Sequence, residues 1–178
     1  MRWMWIDRIV ELIPRERMVA IKNVSLAEEH LHDHFPAQSS PGAAVAPALP
    51  IMPASLIIEG MAQTAGILVG HANGFREKVI LAKVSNAELS RDATPGVTLR
   101  YTAVMERLDE TGAATKGVIE LIEHSAQGPA PAVEIGRIDL MFSHIDRNMA
   151  GVAFPSHNFV FSDAFRTLLR TSGIQADF

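Results

Sequence analysis

Residues 50–70 read PIMPASLIIEGMAQTAGILVG, and this stretch decides the fold. Between Ala37 and Gly70 the only charged residue is Glu59. After Pro53, the apolar residues Leu56, Ile57, Ile58, Met61, Ala62, Ala65, Ile67, Leu68 and Val69 cover the whole circumference of a helix. A helix apolar all round is buried, in a core or in a membrane. A span needs roughly 20 apolar residues without charges, and Pro53, Glu59 and Gln63 argue against one. The stretch therefore predicts a core helix from Pro53 to about His71. Pro53 suits the first turn, where its missing N–H is not needed. Asn73-Gly74 is the stop signal. At about 1.5 Å per residue the helix is on the order of 28 Å long. It carries one carboxyl. An unpaired buried charge is costly, so such a group is paired, neutralised or retained for chemistry.

Upstream, Trp3 to Ile13 is rich in aromatic and β-branched residues and reads as a strand. Pro14 to Arg17 is a polar turn, and Met18 to Val24 reads as the hairpin partner. Ser25 is a candidate N-cap for a short helix over Leu26 to Leu31. His34 to Pro53 is Pro- and Ala-rich and reads as loop. Downstream the period changes. Lys78 to Leu89 is a strand, and Thr94-Pro95-Gly96 is a turn. Val97, Leu99, Tyr101, Ala103 and Met105 then alternate with polar neighbours, a period of two. Thr115 to His124 is the next strand, Gly128-Pro129 interrupts, and a last strand runs through Gly136 to Phe142. Short turns imply antiparallel neighbours. One sheet curling around one long apolar helix buries both, an α+β solution. Near the end, Ser162 caps a short helix with Phe165, Leu168 and Leu169 on one side and Arg166 and Arg170 on another.

The chain of 178 residues fits one domain with a real core. A net charge of −4 gives no reason to expect nucleic acid. There is no cysteine, hence no disulfide, thiol nucleophile or thiolate ligand. Met1 to Val10 carries Trp3, Trp5, Asp7 and Arg8 and lacks the apolar core of a signal peptide. A cytoplasmic protein without a membrane span is expected. No internal repeat is visible.

Three motifs lie in order: His34-Phe35-Pro36, then Pro50-Ile51-Met52-Pro53, then Glu59-Gly60-Met61-Ala62-Gln63. Together, with Val24-Ser25 ahead of them, they resemble the signature of the 3-hydroxyacyl-(acyl carrier protein) dehydratases of bacterial fatty acid synthesis, which are hotdog-fold enzymes. The similarity runs from about Trp5 to about Ser143. It implies a hotdog domain over residues 1–147, in which an antiparallel curled sheet wraps one central helix. A C-terminal extension over 148–178 would pack its short helix on the same domain or on a partner subunit.

The resemblance implies loss of water from a 3-hydroxyacyl thioester to give a trans-2-enoyl thioester. His34 would be the base that removes the proton beside the thioester carbonyl, a task suited to imidazole at working pH. Glu59 would be the acid that helps the 3-hydroxyl leave. A carboxyl in apolar surroundings has its charged form disfavoured. The free amides at the helix start, at Ala54 and Ser55, would serve the developing enolate oxygen. Gln63 lies four residues after Glu59, on the same face, where it could orient the carboxyl. Phe35 and Pro53 support the motifs. The substrate would be an acyl carrier protein thioester, with no cofactor. The protein would be a homodimer or a trimer of dimers, with the histidine from one chain and the acid from the other.

The sequence departs from the family in three places. The linker after His34-Phe35-Pro36 is lengthened over Ala37 to Leu49, where a charge-free loop reads as a lid on the acyl site. Ala37 and Ala54 stand where the family usually has glycine. Alanine at the helix start is unfavourable if that position has a positive φ. The chain also starts almost at its first strand. His30, His32, Asp33 and His34 are crowded donors with poor ligand geometry, and no metal site is expected. His71, His124, His144 and His157 carry no motif and are expected at the surface or behind the site. Two alternatives stay open. A hotdog thioesterase also uses a helix carboxylate, although the histidine of the first motif speaks against it. A non-catalytic acyl-binding hotdog protein would bind without turnover.

Overall fold

The computed structural model describes residues 3–38, 46–145, 155 and 158–175. Strands β1 (Arg8–Ile13) and β2 (Arg17–Asn23) form the first hairpin, followed by the single turn of helix α1 (His30–Asp33). The long helix α2 spans Ala54–Ala72, and then come β3 (Val79–Leu89), β4 (Thr98–Leu108) and β5 (Gly112–Ile122). A two-residue hairpin, β6 (His124–Ser125) and β7 (Gly128–Pro129), precedes β8 (Val133–His144), and α3 (Asp163–Thr171) is the last helix. The main sheet has six strands in the order β1-β2-β4-β5-β8-β3, with all neighbours antiparallel. This is the hotdog fold that the motifs implied.

The sheet alternates as a half-buried sheet must. Met18 and Ala20 of β2, Leu99, Tyr101 and Ala103 of β4, Ala113, Ile119 and Leu121 of β5, and Ile138, Leu140 and Phe142 of β8 are buried. They belong to one core cluster with Ile57, Met61, Ala65, Ile67, Leu68 and Val69 of α2. Close approach is built in by glycine: a Cβ on Gly60 would stand 2.7 Å from the Tyr101 ring.

Helix α2 starts with Pro53 at its N-cap. The Met52 amide donates to the Ala93 carbonyl at 2.8 Å, which fixes the approach to the helix. Ala54 lies inside the helix. Among the described residues, the non-glycine ones with positive φ are Arg15 and Phe75, so alanine is unstrained at this position. Asn73 caps the other end, Gly74 follows at φ 60° and Phe75 at φ 57°. A bulky residue seldom holds that conformation. Here the Phe75 ring is buried edge-on to Phe161, with centroids 4.9 Å apart.

Four expectations need correction. First, α2 is not buried all round: Ser55 is exposed, and Ile58, Glu59 and Gly66 are half-buried. These residues form one stripe along the helix, so Glu59 stands at the edge of the core rather than within it. Second, the helix expected over Leu26 to Leu31 begins only at His30. The Glu28 carboxylate accepts from the Ser25 amide, and Ser25 Oγ accepts from the Ala27 amide, closing a turn instead. Third, β3 and β4 are not neighbours. Their connection is held elsewhere, by Ser90 N to Ile135 O and by the Val24–Val97 and Val24–Gly96 backbone bonds, and so crosses from one side of the sheet to the other. Fourth, His144 is fully buried, with Nδ1 2.9 Å from Glu77 Oε2. His157 and the middle of the Ala37–Leu49 loop lie outside the described residues.

Candidate active site

The segment that carries His34 is held by a charge cluster. Lys22, a buried lysine, places Nζ 2.6 Å from Glu28 and 3.3 Å from Asp7. Leu31 anchors α1 in the core. His34 follows as the C-cap of α1, exposed, its ring edge-on to Phe35 at 4.4 Å. Phe35 is itself 41% exposed. The lengthened loop is pinched at its base: Gln38 and Ala46 exchange two backbone hydrogen bonds of 3.0 Å. The Leu49 amide then donates to the Phe35 carbonyl at 3.0 Å. The chain therefore returns to the first motif before it enters the second, and the longer loop leaves the two proline motifs adjacent.

Glu59 is the half-buried carboxyl on the open stripe of α2. Gln63, one turn later, is almost saturated. Its Nε2 donates to Glu59 Oε1 at 3.0 Å and to the Trp3 carbonyl at 3.1 Å, and its Oε1 accepts from the Trp5 amide at 2.8 Å. One side chain thus fixes the carboxyl and ties the N-terminal segment to the helix. A buried amide that meets its partners is worth keeping, because each lost partner leaves a desolvated group.

Glu59 lines a cavity of about 390 Å³. Ala62, Gln63 and Gly66 of α2, Val79, Ile80 and Leu81 of β3, Phe142, Trp3 and the tail residues Val160–Ser162, Ala164 and Phe165 form the rest of the wall. Apart from Glu59, Gln63 and Ser162 the named side chains are apolar. A cavity of this kind, mostly apolar with a few convergent polar groups, is the usual form of a small-molecule site.

The structure does not bring His34 to Glu59. His34 is not among the residues that line the Glu59 cavity. His30 lines a second cavity of about 610 Å³ with Trp3, Met4, Trp5 and Leu56. Burial lowers the pKa of His30 and favours its neutral form, and its ring packs edge-on to Trp5 at 5.0 Å. His32 instead turns to the Leu26 carbonyl, 2.6 Å away. The crowded histidines therefore point to different partners. Ala54 and Ser55 are the exposed first residues of α2, where backbone amides have no intrahelical acceptor.

Sequence reasoning missed Trp3, Phe161 and Ser162 as cavity residues. Trp3 and Phe161 carried only aromatic character outside a motif, which does not distinguish a wall from a core, and Ser162 read as a helix cap.

A family model described as a FabA-like domain matches residues 2–122. The 3-hydroxyacyl-(acyl-carrier-protein) dehydratase FabZ of Acidiphilium cryptum is 39% identical over 105 residues, which cover 57% of this chain and 57% of that protein. The FabZ of Geobacter metallireducens is 41% identical over 98 residues, 53% of this chain and 58% of that protein. The match thus spans little more than half the length of these relatives. Among solved structures, the dehydratase heterocomplex ApeI:P from Xenorhabdus doucetiae superposes with a TM-score of 0.58. It covers 82% of this chain and 86% of that one at 15% identity, a likeness of fold. Among the described residues, no helix is long and apolar enough to cross a membrane.

Proposed function

The chain belongs to the FabA-like domain family, and from that premise we propose that it dehydrates 3-hydroxyacyl thioesters carried by acyl carrier protein. The observation that carries this reading is Glu59: a carboxyl held by Gln63 at the wall of a mostly apolar cavity. The imidazole of His34 takes the proton from the carbon beside the thioester carbonyl. The electron pair moves onto the carbonyl oxygen, where the amides of Ala54 and Ser55 stabilise the enolate. The pair then returns to form the C2–C3 double bond as the C3–O bond breaks. Glu59 protonates the departing hydroxyl, which leaves as water. Transfer of the proton from imidazolium to carboxylate resets the site.

The same reading makes the protein a homodimer, or a trimer of dimers, with His34 and Glu59 of each site on different chains. Two observations support it. His34 is exposed and stands apart from the Glu59 cavity. The sheet also has two unlike edges. At β1 the Ile9 amide donates to Ser172 Oγ at 3.0 Å, so the tail covers that edge. Among the described residues, the outer edge of the eleven-residue β3 has no strand beside it, and Ile80, Leu81 and Val84 are 37–40% exposed there. An open apolar edge invites pairing with another strand, and a second copy related by a two-fold axis satisfies both chains at once.

Incubating the protein with a 3-hydroxyacyl carrier-protein thioester tests the reaction. Mass spectrometry should find the acyl group lighter by one water and still attached to the carrier. Release of free acid would favour the thioesterase reading. An unchanged substrate that nevertheless binds would favour a carrier of acyl groups without turnover.

A further inference from the structure

The family match ends at residue 122, yet the wall of the Glu59 cavity does not. Val160, Phe161, Ser162, Ala164 and Phe165 line it from the C-terminal segment. This segment is seated at a definite place on the central helix. Gly70 leaves room for the Phe161 ring, and a Cβ there would run into it. Phe161 is buried, edge-on to Phe75 at 4.9 Å and to Phe165 at 5.8 Å. The Asn158 side-chain amide donates to the carbonyls of Phe75 at 2.8 Å and Glu77 at 3.1 Å, which fixes the approach to Phe161. Leu168 and Leu169 of α3 are buried, and Ser172 reaches the edge of β1.

Along α2 the cavity wall runs from Glu59 through Ala62 and Gln63 to Gly66. Phe161 occupies the next turn, at Gly70. We infer that Phe161 and Phe165 form the end wall of the acyl cavity and limit the length of the acyl chain it accepts. This rests on the proposed reading of the cavity as the acyl site. The length follows from the helix. Seven residues at about 1.5 Å rise give roughly 10 Å from Glu59 to Gly66. A carbon–carbon bond of about 1.5 Å advances a zigzag chain by roughly 1.2 Å, so the run takes about eight carbons beyond C3, a chain of about eleven. Longer chains meet the two rings.

The test uses the whole chain and two readouts. Trp3 lines the cavity, so tryptophan emission reports the binding of straight-chain fatty acids of increasing length. Affinity should rise by about fourfold per added methylene, the gain from burying each one, and stop rising near eleven carbons. In Phe165→Ala the rise should continue for about two to four carbons more, because the lost ring opens space. In Ala164→Phe it should stop earlier. The second readout is kcat/KM for dehydration across the same lengths, which should break at the same points. An identical cut-off in all three proteins, with circular dichroism showing each folded, would overturn the end wall. Binding cut-offs that move in a protein without dehydration would reject the reaction and keep the wall. Dehydration with an unmoved cut-off would do the reverse.

Discussion

Glu59→Gln should lower the rate of dehydration by about 100- to 10,000-fold, and His34→Ala should do the same, the range expected when a positioned acid or base is removed. The two changes are chosen to leave the fold alone. Glutamine has the shape of glutamate, and its carbonyl oxygen can still accept the hydrogen bond that Gln63 Nε2 gives to Glu59 Oε1. What it cannot do is deliver a proton to a leaving hydroxyl and take one back. His34 is exposed and touches the ring of Phe35. Its truncation should cost stability no more than about 0.5 kcal/mol, as for other surface changes. Thermal melts of both variants should therefore lie close to that of the parent. Initial rates on a 3-hydroxyacyl carrier-protein thioester give the comparison. Parent-like turnover by either variant would remove that residue from the mechanism.

Val84→Lys should leave the chain folded but monomeric, and as inactive as His34→Ala. Val84 lies midway along the open edge of β3, 40% exposed, and is not among the residues lining the Glu59 cavity. Lysine on an edge strand is the common device by which proteins prevent edge pairing. In the proposed dimer two copies of the charge would face a shared seam, where desolvation and like-charge repulsion oppose closure. Each monomer would then keep its own Glu59 while losing the His34 of a partner. Light scattering gives the mass, and the dehydration assay gives the activity. A fully active monomer would mean that one chain completes the site by itself.

The fold was legible from one clean alternation and one long apolar run. Alternation in β4 and β5 has to place Leu99, Tyr101, Ile119 and Leu121 on one face, and the run from Leu56 to Val69 has no other stable place than against it. The three motifs likewise made His34 and Glu59 visible. What could not be read depends on distant parts of the chain meeting. The half-open stripe at Ser55, Ile58, Glu59 and Gly66 lies in a run that reads as core, and Glu59 and Gly66 become cavity wall because β3 and the tail line the cavity opposite them. Gly70 reads as a weak helix residue until Phe161 is seen beside it. The β3–β4 connection looks like a turn, because its partners Val24 and Ile135 lie far away in sequence. His144 carries no motif, and its burial follows from its place at the end of β8 beside Glu77.

In the proposed dimer each site is shared between two copies, with His34 from one and Glu59 from the other. Mixing the two inactive proteins tests it most directly. His34→Ala and Glu59→Gln subunits are combined in equal amounts, allowed to exchange, and assayed for dehydration. Each mixed dimer would hold one complete site and one doubly defective site. With random exchange, half the dimers are mixed, so activity should recover to about a quarter of the parent rate. Mixed dimers that native mass spectrometry detects, yet that remain as inactive as either variant alone, would contradict the claim.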